Sequence, residues 1–153
     1  MMGKKYKGFS LIEILVVVAL IVILATITIV AINPAKNFRD TRNAQRSADI
    51  MQILNAVTQY TSEQGHALSD LGTIATCTAV PGEGTEIGTA VGQLNLTGAP
   101  LVDEYIVAIP EDPSNKPDTP KFYTICQTST GRIEVSAVAE RDNGATEVIT
   151  VKR

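Results

Sequence analysis

Tryptophan is absent, the aromatics together make up 5% of the 153 residues, and histidine occurs once, as His66. So few large side chains leave only a small core for any globular part. With one histidine, no paired acid–base motif and no nucleotide loop, the sequence argues against an enzyme and implies no cofactor. Gly82-Glu83-Gly84-Thr85-Glu86-Ile87-Gly88 superficially resembles a phosphate loop, but it lacks the Lys-Ser/Thr ending and a clear strand before it. His66, beside Gly65, reads as a cap or decoration of a helix end. Cysteine occurs only as Cys77 and Cys126. Two thiolates cannot close a zinc site, which usually takes four ligands, and His66 alone does not complete one. In a domain outside the cytoplasm the pair reads as one disulfide, with two free thiols as the alternative. The bond would close a loop of about 50 residues, worth ~3–4 kcal/mol in the chain-entropy model.

Charge is missing from one stretch altogether. Ile14 to Ile32 reads ILVVVALIVILATITIVAI, nineteen residues without an ionisable group. As a helix it is roughly 28 Å long, close to the hydrocarbon thickness of a bilayer. Its valines and isoleucines favour a strand in water. In lipid, backbone groups must be satisfied within the segment, so helix wins. Lys4, Lys5 and Lys7 precede the apolar block, as in a secretory signal peptide. The block is too long for that, and Asn33-Pro34 follows it where a small-residue cleavage site would stand. The apolar segment therefore stays in the mature protein. Glu13 is an acid inside this apolar run. Such a group costs about 2.5–3.5 kcal/mol at the centre of a spanning helix and less near its end. It reads equally as an interfacial residue or as a carboxylate awaiting a cationic partner in an assembled state.

The string Lys-Gly-Phe-Ser-Leu-Ile-Glu at Lys7–Glu13, with the basic leader before it and the apolar run after it, resembles the N-terminal signature of type IV pilins and type II secretion pseudopilins. The likeness is close over about the first 32 residues and loose over the next 30. It implies that residues 1–8 are a leader removed between Gly8 and Phe9 by a membrane-embedded prepilin peptidase. The new Phe9 amine would be N-methylated by the same enzyme. Residues 9–32 would remain as a transmembrane and assembly helix, with Glu13 pairing with the Phe9 amine of the neighbouring subunit. The partners implied are membrane lipid, other pilins in a homo-oligomeric helical filament, and the assembly machinery. The implied location is the cytoplasmic (inner) membrane, single-pass, with the C-terminal domain outside, and then a cell-surface or periplasmic filament. Lys36, Arg39, Arg42 and Arg46 follow the segment, so the count of positive charges does not decide the orientation. The cysteine pair favours the C-terminal side outside. Removing Lys4, Lys5 and Lys7 from the thirteen basic residues leaves ten against sixteen acidic, a net charge of about −6. That argues mildly against nucleic acid as a partner.

The fold class expected is α+β: a long N-terminal helix, membrane-spanning in its first half and amphipathic in its second, packed on a small C-terminal antiparallel sheet. Pro34 breaks the helical ladder or starts a new helix at its first turn, with Asn33 as cap, so a kink or a short melted stretch is expected. Residues 33–65 continue the helix to about Gln64, stopped by Gly65. Phe38, Ala44, Ala48, Met51, Leu54 or Asn55, and Val57 make its apolar face. Arg39, Arg42 and Arg46 form a basic stripe, read as solvated or facing head groups, with a DNA or surface contact as the lesser reading. Residues 66–153 form the exterior region. Within it, 66–104 is an irregular connection and 105–153 holds the strands Tyr105–Ile109, Phe122–Gln127, Ile133–Ala139 and Glu147–Val151. Gly131 and Asp142-Asn143-Gly144 supply the turns between the last three. Asn95-Leu96-Thr97 is a formal N-glycosylation sequon, a pattern common by chance. Pro110-Glu111-Asp112-Pro113 is similar to the Pro-x-Asp-Pro stretch before the C-terminal strands of many major pseudopilins and some pilins, without the aromatic and glycine that often follow. Some relatives bind calcium there, and Glu111, Asp112 and Asp118 offer oxygen ligands. A proline-stiffened, solvated turn is the preferred reading, with no metal.

Three filament readings remain open: major pilin, minor pilin, or pseudopilin of a secretion or DNA-uptake system. Glu13 favours a subunit within the fibre over one at its tip. A membrane-anchored binding module is the rival from another class. It explains the anchor but not Gly8-Phe9 with Glu13.

Overall fold

The computed structural model describes residues 8–97, 101–141 and 147–153. The chain divides into two units, one ending at Phe38 and one comprising Arg39–Arg153.

The first unit is dominated by α1 (Leu11–Ile32), none of whose residues is buried. Its 22 residues make about 33 Å of helix, enough to cross a bilayer. Its two hydroxyls are satisfied internally. Thr26 donates to the carbonyl of Val22 and Thr28 to that of Leu24, each at 2.8 Å. That removes the cost of carrying a polar group into lipid. α1 ends at Asn33, whose left-handed backbone (φ 46°) stops the ladder. α2 (Pro34–Ser62) starts at once with proline in its first turn, where no N–H is needed. Asn33 Oδ1 accepts from the Lys36 N–H at 3.3 Å, and Asn37 Nδ2 donates to the Ile32 carbonyl at 3.2 Å. The break is therefore capped on both sides: Asn33 caps the new helix, as expected, and Asn37 covers the end of α1.

In the second unit, α2 buries Arg46, Asp49, Ile50, Ile53, Leu54, Ala56, Val57 and Tyr60. Their three- and four-residue spacing marks a single face. It is not the face expected. Phe38 and Met51 are exposed, as are Ala44 and Ala48, and only Leu54 and Val57 belong to both sets. The apolar arc begins at Ile50, and further upstream the same face carries charged groups that find partners.

Among the described residues the sheet has five strands: β1 (Ala75–Thr76), β2 (Thr85–Glu86), β3 (Thr124–Gln127), β4 (Ile133–Ala139) and β5 (Glu147–Lys152). β3, β4 and β5 form the expected antiparallel meander. Gly131, at φ 83°, makes the β3–β4 turn. The Asp142-Asn143-Gly144 turn lies outside the described residues. The other edge of β3 is shared: β1 runs parallel to it (Ala75 opposite Cys126), and β2 antiparallel (Thr85 opposite Ile125). The sheet is thus mixed rather than antiparallel throughout. Gly84 allows this close approach, because a Cβ there would stand 2.7 Å from the Ile125 carbonyl oxygen.

Residues 105–109 are not a strand. Tyr105 and Ile106 donate their N–H groups to the Leu101 carbonyl at 3.0 and 3.1 Å, closing turns. Ile106 and Ile109 pack on the core from this looped backbone. Periodicity does not distinguish such a segment from a strand, because local turns satisfy its polar groups equally well. The connection after α2 holds a short 3-10 helix, Leu68–Leu71, besides β1 and β2. It also supplies Leu71, Ile87, Leu94 and Leu96 to the core formed by α2 and the inner sheet residues Ile125, Ile133, Val135 and Ala137. The architecture is α+β.

Candidate functional site

Gly8, Phe9 and Ser10 lead exposed into α1. Ser10 is extended (φ −75°, ψ 145°), and its carbonyl accepts from the N–H groups of Glu13 and Ile14 at 3.1 and 3.3 Å. Ser10 and Glu13 have capping-box spacing, although the Ser10 hydroxyl makes no cap bond. Glu13 sits in the first turn of α1. A carboxylate there is favoured by the free N–H groups and the positive end of the helix dipole. None of the ion pairs among the described residues involves Glu13. Phe9 is 79% exposed. Among the described residues, a Cβ built on Gly8 would meet no atom within 4 Å. The described part of the fold therefore makes no demand for glycine at position 8. Residues 3–29 match the family model of the prokaryotic N-terminal methylation motif. The chain carries the type IV pilin and pseudopilin signature. No curated protein and no solved structure matches it.

In the second unit the two cysteines are bonded, Cys77 to Cys126, with Cα atoms 5.0 Å apart. The bond fastens the residue after β1 to β3. The Cys77 N–H also donates to the Gln127 carbonyl at 2.9 Å. Glu134 lies beside the two sulfurs, but these are bonded to each other and offer no thiolate. His66 packs its ring against Tyr60 at 4.4 Å, just past the end of α2. It decorates the helix end, as expected.

The basic stripe is not uniformly solvated: Arg42 and Arg39 are half-buried. Arg46 is fully buried. Its Nε donates to Asp112 Oδ2 at 2.6 Å and its Nη2 to Asp112 Oδ1 at 2.8 Å, a bidentate pair. Nη2 also reaches Ser114 Oγ at 2.7 Å and Glu140 Oε1 at 2.8 Å, and Nη1 reaches Asn43 Oδ1 at 2.8 Å. Arg42 closes on Glu140 from the other side. Asn43 brackets residue 140, accepting its N–H and donating to its carbonyl, each at 2.9 Å. The network ties the start of α2 in this unit to the 112–114 turn and to the residue after β4. Tyr123, on the approach to β3, donates to Asp49 Oδ2 at 2.7 Å.

These contacts displace the protonation equilibria. Hydrogen bonds from Arg42 and then Arg46 hold the Glu140 carboxyl far below its usual range against the opposing effect of burial. Burial pushes the Asp112 carboxyl up, but Arg46 together with the Ser114 N–H and hydroxyl brings it below its ordinary value. Burial, and then the Asp49 contact, push the Tyr123 hydroxyl up. Asp112, the central member of the candidate calcium set, thus has both oxygens spent on Arg46. The guanidinium stands where a cation would, while Glu111 and Asp118 are exposed. A signal for this network does exist in the sequence. Arg46 lies four and seven residues before Ile50 and Ile53, at the N-terminal end of the buried face.

Proposed function

We propose that the chain is the precursor of a filament subunit. A prepilin peptidase cuts it between Gly8 and Phe9, the new Phe9 amine is methylated, and α1 polymerises it. In this reading α1 first anchors the subunit in the cytoplasmic membrane, with the second unit outside. The disulfide supports that orientation, because such bonds persist in oxidising compartments.

The observation that carries the reading is Glu13 in the first turn of an apolar helix with no buried residue, immediately after an exposed Gly8-Phe9. Cleavage creates an ammonium group at Phe9. A carboxylate in lipid is tolerable when it meets such a charge, and a subunit out of register leaves both uncompensated. Glu13 then sets register and has no catalytic role. Because Gly8 has open space around it in the fold, its small size serves the peptidase.

Mass spectrometry of protein extracted or sheared from native cells tests this. A product starting at Phe9 and heavier by one methyl group is the expected result. A product that retains Met1 or Met2 and the lysines would make this a membrane-anchored binding module instead. Pilus, secretion and DNA-uptake filaments all use the same N-terminal chemistry. Glu13 favours a place within the fibre.

A further inference from the structure

The sequon at Asn95-Leu96-Thr97 is not absorbed by the filament reading. Chance sequons frequently fail on structure, with the asparagine buried, held in a helix, or with its amide nitrogen engaged. This one does not. Leu94 is 4% exposed and Leu96 1%, whereas Asn95 and Thr97 are exposed. Two leucines thus pin the segment to the core in alternation, and the residues between and after them face outward. The Leu94 N–H donates to the Glu86 carbonyl at 2.7 Å, and the Gly88 N–H to the Leu94 carbonyl at 3.1 Å, which fixes the base of the segment. Asn95 Oδ1 accepts from both the Thr97 N–H at 3.0 Å and the Thr97 hydroxyl at 2.6 Å. That bend holds the amide and the hydroxyl side by side on one exposed surface. Among the described residues, Asn95 Nδ2 donates to none.

We propose that Asn95 is an N-glycosylation site, modified outside the membrane by transfer from a polyprenyl-phosphate- or pyrophosphate-linked oligosaccharide. Asn95 Nδ2 attacks the anomeric carbon of the first sugar and a C–N bond forms. The C–O bond to the lipid phosphate breaks, and the phosphate leaves with the bonding pair. One amide proton passes to a base of the transferase, and no redox partner is needed. Thr97 is the recognition residue, because its hydroxyl and the target amide are presented together. The inference rests on the reading that the second unit lies outside. Neither side chain is part of the core, so the unmodified chain folds in the same way.

The test uses the full chain expressed in its native cells, with mass spectrometry of both the N-terminal peptide and the peptide containing Asn95. The expected result is a glycopeptide heavier by an oligosaccharide, with fragment ions that place the added mass on Asn95. Asn95→Gln and Thr97→Ala should abolish the added mass, and Thr97→Ser should retain it. A product starting at Phe9 with Asn95 wholly unmodified overturns the inference and leaves the filament reading intact. A glycan on a chain that keeps its lysine leader supports the site and removes the filament reading. A glycan that persists in Thr97→Ala also overturns the inference, because the added mass would then not depend on the sequon.

Discussion

Replacing Arg46 by methionine should be among the most damaging single changes in the second unit. Methionine keeps the unbranched apolar stem of the side chain but strands the carboxylates that the guanidinium holds. Glu140 is partly solvated, with 18% of its side chain exposed, and it keeps Arg42. Asp112 has 4% of its side chain exposed and retains only the N–H and hydroxyl of Ser114 at 2.8 Å each. Removing one partner of a buried pair costs about 3–5 kcal/mol, because the survivor's charge is left uncompensated. Most of that cost falls on Asp112. Urea titration of the full chain in detergent micelles would measure it, followed by near-UV circular dichroism of Tyr60, Tyr105 and Tyr123. Asp112→Leu provides the control. Alone it strands Arg46 and should be costly. Added to Arg46→Met it removes the stranded acid, so the double variant should regain ~2 kcal/mol over Arg46→Met. An Arg46→Met cost below ~1 kcal/mol, the size of an exposed pair, would refute the reasoning. Equal Asp112→Leu penalties in both backgrounds would do the same.

Glu13→Leu should leave leader cleavage and membrane insertion intact and abolish filaments; normal filament yield by electron microscopy would remove the pairing role. Gly8→Ala should be processed almost as the parent and Gly8→Leu hardly at all, read as the ratio of precursor to product on a gel; equal processing of the two ends the steric argument. Replacing Cys77 and Cys126 together by serine should lower stability by about 3–4 kcal/mol, given the 49-residue separation, measurable in the same urea titration. Stability should also fall in acid. The folded-state pKa values of Glu140 and Asp112 lie below the ordinary 4.5 and 3.8. Their contribution is therefore complete above those ordinary values and is lost as pH drops through the folded ones. A urea midpoint unchanged between pH 6 and pH 3 would contradict the cluster's role.

The N-terminal elements were legible because single residues carry them. A charge-free run specifies α1, and Asn33-Pro34 specifies its end. The meander was legible because β4 and β5 are rich in Val, Ile and Thr and sit close together in the chain. The face of α2 was misread for a specific reason. Ala44 and Ala48 suit either side of a helix, whereas Arg46 and Asp49 look solvated until their partners are known. Those partners lie 66 and 94 residues away from Arg46, and 74 from Asp49. A local pattern can place Arg46 on the face of Ile50 and Ile53, but it does not name partners at such distances. The same holds for β1, two residues whose strand character comes only from β3 beside it. Tyr105–Ile109 failed in the opposite sense, being strand-like in composition and looped in fact.

The Cys77–Cys126 bond also sets how the folded domain carries tension. A pull applied between α1 and β5 runs along the chain to Cys77, crosses the sulfurs, and continues from Cys126. The residues between the cysteines are bypassed. Stretched to failure, the oxidised subunit would be shorter by roughly 160 Å than the reduced one, at about 3.4 Å per residue. β2, the pinned leucines and Asn95 all lie inside that unloaded loop, so whatever the loop displays stays off the load-bearing path.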